Sequence, residues 1–293
     1  AVALEFASLW NAAGCEVTLL IRRDRVLSTW ERRASMTLTR ELKRRGVNVI
    51  ARTAVDRVDT GANLGATVHY RQGDSDEDRT AYGEVVLAAI GRVPNTDADW
   101  FRSSGLKLDE RGYVTVDGYG RTNLDGVWAL GDITPGHALA HRAFEQGITI
   151  AEKIAGADPK PVLDDTVPQV VFSFPEAASV GLTLDQAKAR EDVVEPKETA
   201  YPMLSNARML MSGEGGSMTV VSGAFANNPD MQVVLGVHIV SPIASDLIAE
   251  AEQLVGNRVP LADAARLIHP HPTFSETLGE ALLKADGRPL HTR

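Results

Sequence analysis

The sequence predicts an α/β protein in two parts: a doubly wound α/β part up to about residue 165, then an α+β part built on an antiparallel sheet. Three observations predict this. Helix-period and strand-period segments alternate over short links from the first residue onward. The continuous apolar run 85–90 (Val-Val-Leu-Ala-Ala-Ile) has the composition of a strand covered on both faces. Beyond Val167 the texture changes to strands followed by helices.

Taken in order, residues 1–13 read as an amphipathic helix ended by Gly14, and 16–21 as a buried strand. Residues 33–45 read as a second helix stopped by Gly46, and 47–50 as the strand that follows. The stretch 54–74 alternates like an antiparallel ribbon, with turn signals at Thr60-Gly61 and Gly73-Asp74. Gly91-Arg-Val-Pro-Asn95 breaks the pattern and marks a junction. Then come a short strand over 126–130, a turn at Gly131-Asp132, a helix over 140–154 and a linker over 157–161. Strands over 169–174, 217–222 and 233–240 precede helices over 245–255 and 273–284. The expected domains are 1–92, 93–165 and 166–293.

Length and composition narrow the function. A chain of 293 residues accommodates two or three domains. A net charge of −9 disfavours a nucleic-acid partner, and no apolar run approaches the roughly 20 residues that span a bilayer. A single cysteine, Cys15, excludes an internal disulfide framework and fits a reducing, cytoplasmic setting. Nothing reads as a metal site. The helix period begins at Ala1 with no Met and no cap, so the start is read as a truncation.

Three constellations carry chemistry. In a dinucleotide-binding unit the third small residue of a Gly-rich turn lets helix and strand approach, and the ribose reader follows about 20 residues on. Ala3 fits the first role and Arg22, with Arg23 beside it, the second. Arginine there suits a 2′-phosphate, and it also suits a plain solvated corner. Asp132 follows a strand and a Gly turn, where a carboxylate meets ligand hydroxyls or simply forms a turn. The helix that opens at Ala140-His141 offers a positive N-terminus. Finally, in His269-Pro-His-Pro-Thr-Phe-Ser-Glu276, Pro270 and Pro272 stiffen the chain around His271. Thr273 and Glu276 form a capping box, and the same geometry lets Glu276 orient the His271 ring as a base.

In this order and spacing the sites resemble the class I flavoprotein disulfide reductases, a pyridine nucleotide-dependent oxidoreductase family. The likeness runs the length of the chain, through Leu4-Glu-Phe-Ala7, Ala89-Ile-Gly-Arg-Val-Pro-Asn95, Ala129-Leu-Gly-Asp132, Leu139-Ala-His-Arg-Ala143, Val170–Glu176, Val180-Gly-Leu-Thr183, Leu235–Val240 and His269–Thr273. The closing His-x-His-Pro-Thr-x-Ser-Glu pattern is most similar to the dihydrolipoamide dehydrogenases. The resemblance implies a Rossmann-like NAD(P)-binding domain, the remainder of a FAD-binding domain, and an α+β interface (dimerisation) domain.

It also implies FAD and NAD or NADP as cofactors, a homodimer, and a small disulfide or dithiol substrate or the lipoyl domain of a 2-oxo acid dehydrogenase complex. By likeness, Asp132, Ala140 and His141 would serve FAD, and Ala3, Glu5, Arg22, Arg23 and Gly91 the nicotinamide nucleotide. His271, oriented by Glu276, would be the acid/base of thiol–disulfide exchange with the partner subunit. The family's paired cysteines and Gly-rich turns are expected upstream of Ala1, which leaves the piece itself inactive. Arg22 stands where an NAD-specific dehydrogenase carries an acid. An NADPH-dependent glutathione-type or quinone reductase therefore stays open, as does a non-catalytic dimerising fragment.

Overall fold

The computed structural model describes residues 1–61 and 65–292 and divides the chain into two compact units. One joins Ala1–Ala89 to Val170–Arg293, and the other is Ile90–Gln169.

The first unit opens with helix α1 (Val2–Ala12), strand β1 (Thr18–Ile21), helix α2 (Arg32–Arg44) and strand β2 (Asn48–Ala51). Gly14 and Gly46 end the two helices at φ of +87° and +96°, a region closed to most side chains. The start of α2 rests on Glu31, whose carboxylate accepts from the amides of Arg33 and Ala34 at 2.6 and 2.7 Å. β1 and β2 pair in parallel, Thr18 opposite Asn48. An antiparallel ribbon follows, β3 (Thr53–Thr60), β4 (Ala66–Gln72) and β5 (Arg79–Gly83). The turn expected after Thr60-Gly61 runs into 62–64, outside the described residues.

The run at 85–90 is not a strand. Its apolar side chains lie in the open, with Ile90 92% exposed. A parallel strand forms only against a neighbour, and among the described residues no third strand joins β1 and β2. The composition suits a strand, but among the described residues the run pairs with no neighbour.

The second unit contains helices α3 (Asp99–Ser103) and α4 (Ala140–Ile154) and a small core of Phe101, Val114 and Ala129. The strand expected over 126–130 is reduced to a single bridge between Arg121 and Trp128.

From 169 onward come β6 (Gln169–Val171), β7 (Glu176–Gly181), α5 (Leu184–Ala189), β8 (Val193–Pro202), α6 (Ala207–Ser212), β9 (Ser217–Phe225), β10 (Asn228–Ser241), α7 (Ala244–Gly256), α8 (Leu261–Ala264) and α9 (Glu276–Ala285). The strands form one sheet in the order β6-β7-β10-β9-β8, and the pairings of β10 with β7 and of β9 with its two neighbours are antiparallel. Helices α7, α8 and α9 bury Leu247, Ile248, Leu254, Leu261, Leu278 and Leu282 in a common core with Val180, Val220 and Ile239. A second core joins the two ends of this unit: Leu4, Leu38 and Leu42 pack with Val171, Ala177 and Val240. No helix among the described residues is long and apolar enough to cross a membrane.

Candidate active site

The segment 269–276 brings together the groups that sequence spacing singled out. Glu276 is the first residue of α9, and its carboxylate spans two partners. Oε2 accepts from the Thr273 amide at 2.7 Å, and Oε1 lies 2.8 Å from His271 Nδ1. The expected capping box is therefore half made. Glu276 reaches back as predicted, but the Thr273 hydroxyl turns to the Pro270 carbonyl and the Ser275 hydroxyl instead of the helix amides.

Burial alone would raise the Glu276 pKa. The Thr273 amide and the His271 ring more than offset it, so the carboxyl sits below its ordinary value. An ionised carboxylate has no proton to give, so the proton shared with His271 belongs to Nδ1. That leaves Nε2 as the free basic atom of an imidazole whose side chain is 71% exposed. A solvent-facing base held from behind by a carboxylate can take a proton from a thiol and return it.

A second histidine–carboxylate pair lies beside it. His269 Nε2 is 2.9 Å from Glu250 Oε1 on α7. The Glu250 hydrogen bond holds the His269 pKa above its usual value, against burial, which lowers it. Sequence reading missed Glu250. It lies 19 positions before His269, on another helix, and no local pattern links them.

Of the predicted nucleotide residues, Ala3, Glu5, Arg22 and Arg23 lie at the amino end of the first unit. Ala3 is partly buried against the core that α1 shares with β1. Glu5 accepts the Phe172 amide at 3.0 Å, and Ser8, one turn on, accepts that of Phe174 at 3.1 Å. The loop after β1 carries Arg22 and Arg23, both exposed and without a side-chain partner among the described residues, whereas Arg25 is neutralised by Asp24 at 3.0 Å. Arg52, just past β2, was not anticipated. Its amide donates to the Arg23 carbonyl at 3.0 Å, and its φ of +56° turns the chain there.

In the second unit Asp132 is exposed in a single 3-10 turn, Gly131–Ile133. Gln146 of α4 ties that turn to the helix by accepting the Gly131 amide at 2.9 Å. The N-cap of α4 is Leu139, which has no side-chain acceptor, so the amides of Ala140 and His141 remain open to a ligand. The His141 ring turns away, its Nε2 2.7 Å from the Pro168 carbonyl. Gly91, at φ +141°, lies exposed.

Comparison with known proteins follows the same outline. Residues 1–147 match the family model described as pyridine nucleotide-disulphide oxidoreductase, and 167–282 match the dimerisation domain of the same family. The chain is 36% identical over 292 residues to a dihydrolipoyl dehydrogenase of Cupriavidus necator, covering 99% of this chain and 59% of that protein. It is 36% identical to one from Geobacillus stearothermophilus, covering 99% and 60%. Among solved structures, LpdA from Mycobacterium tuberculosis superposes with a TM-score of 0.84 at 29% identity, covering 96% of this chain and 59% of that one. The chain thus spans about three-fifths of the length of the curated relatives it matches.

Proposed function

Because the chain belongs to the pyridine nucleotide-disulphide oxidoreductase family, we propose that it supplies the nucleotide-binding and dimerising parts, and the acid/base, of a dihydrolipoyl dehydrogenase-like enzyme. The observation that carries this is the His271–Glu276 pair, Nδ1 2.8 Å from the carboxylate on a ring that is largely exposed. In thiol–disulfide exchange the attacking species is the thiolate. His271 Nε2 takes the thiol proton as the new S–S bond forms, and returns it to the sulfur that leaves when the old S–S bond breaks. Glu276 stabilises the imidazolium in between.

The residues of the second unit fit a flavin. Asp132 offers an exposed carboxylate to hydroxyl donors, and the uncapped α4 start offers amides to an electron-rich ring edge. Bound there, FAD would pass electron pairs between nicotinamide nucleotide and disulfide. The matched dimerisation domain supports a homodimer, and a dithiol or lipoyl group is the substrate this reading assigns.

The test is His271→Ala in the complete enzyme. Disulfide turnover should fall roughly 10²–10⁴-fold, the range of positioned acid–base catalysis, with nucleotide-driven flavin reduction retained. Near-normal turnover with lipoamide and with other disulfides would refute the assignment. A second reading, an NADPH-dependent reductase, is favoured by the unpaired Arg22 and Arg23.

A further inference from the structure

The histidine-proline segment presents two imidazoles, and the function proposed above uses one. His269 is the other, with a side chain only 9% exposed. Its ring is seated between two helices. On one side Nε2 meets Glu250 Oε1 of α7 at 2.9 Å. On the other it lies against α9 at Gly279, where an added Cβ would stand 2.5 Å from Nδ1 and 2.9 Å from Cε1. Glycine weakens a helix interior, and here the missing side chain is the space the ring occupies.

The far end of the segment is held as well. The Thr273 amide donates to Glu276, and its carbonyl accepts from Asn206 Nδ2 at 3.1 Å, at the start of α6. His271 stands between these anchors, itself exposed, and among the described residues its one side-chain partner is Glu276. A single residue, Pro270, separates it from His269, and the proline ring fixes φ at that link. The direction of the His269 ring is thereby passed along the backbone.

We propose that His269, held by Glu250, is a positioning residue for His271. It fixes the backbone from which His271 reaches Glu276, and with it the tautomer that leaves Nε2 free. Its effect on turnover rests on the acid/base role given to His271 above; its effect on the tautomer does not.

Nitrogen-15 spectra of the His271 ring, taken where the imidazole is neutral, test this directly. The wild-type ring should be protonated mainly on Nδ1, whereas a freely turning histidine prefers Nε2. His269→Ala and Glu250→Ala should both shift the ring toward the Nε2-protonated form. Glu250→Gln, which keeps an oxygen acceptor, should retain the wild-type signal. In the complete enzyme the two alanine variants should lower disulfide turnover about 10- to 100-fold, the scale of a small misplacement of a reacting group, with flavin reduction by nucleotide unchanged.

An unchanged His271 tautomer in a folded His269→Ala or Glu250→Ala protein would overturn the proposal. So would loss of the tautomer in Glu250→Gln, which would make the pair a matter of packing. If His269→Ala fails to fold, the two Glu250 variants decide. Should His271→Ala keep full turnover, the acid/base reading falls, and the ring spectra still judge the positioning.

Discussion

A guanidinium with no carboxylate beside it stays available to an anion, and among the described residues Arg22, Arg23 and Arg52 are all exposed and in that position. The backbone bond from Arg52 to Arg23 keeps the ends of the two parallel strands together. We expect Arg22→Glu with Arg23→Glu to lower kcat/KM for NADPH at least tenfold and to leave NADH little changed, since arginine recognises the 2′-phosphate specifically. A native preference for NADH, measured the same way, would count against the assignment. At this scale the sequence was readable where chemistry is local. His271 and Glu276 are five positions apart, and Arg22 follows a strand at a fixed offset from α1. Glu250 and Arg52 were not readable, because tertiary packing brings them to their partners.

Among the elements, β10 carries a group with a clear pH signature. His238 is fully buried, its Nδ1 2.7 Å from the Ser179 hydroxyl and its Nε2 3.1 Å from the Leu182 carbonyl. Burial depresses its pKa to about 4 from an ordinary 6.5. The unfolded chain therefore takes up a proton below 6.5 that the folded chain refuses. Stability is complete above that pH and declines as pH falls toward 4, by on the order of 2–3 kcal/mol from this residue. Urea midpoints at pH 7 and pH 5 should show the decline, and His238→Gln should flatten it. His269 pulls the other way: its pKa is raised, so its contribution is whole below 6.5 and fades as pH rises past the folded value.

In α2, Leu38 is wholly buried, and Leu38→Ala should cost about 2–5 kcal/mol by calorimetry or urea titration. Helices α1, α2, α4, α7 and α9 were legible in the sequence, the first two with glycine stops, whereas the short α3, α5, α6 and α8 were not anticipated. The run at 85–90 was misread because composition reports what a strand would bury, not whether the segment pairs with a neighbour.

At the scale of the molecule, the strands from Gln169 onward form one five-stranded sheet. The sequence held no sign that the first 89 residues and the last 124 share a core, because that contact depends on which faces meet. A single tryptic cut after Arg92, in an exposed stretch without regular structure, should therefore leave the two fragments together on gel filtration under native conditions. Separation without denaturant would show that Leu4, Leu38 and Leu42 are not held by Val171, Ala177 and Val240.

That shared core has a consequence for biosynthesis. Val171 leaves the ribosome more than a hundred residues after Leu38, a delay on the order of ten seconds at usual elongation rates. Through that interval the apolar faces of α1 and α2 wait uncovered for a surface that has not been made. The nascent chain is then a ready client for holding chaperones, and slowed elongation between codons 90 and 170 should raise its aggregation in a cell-free translation lacking them.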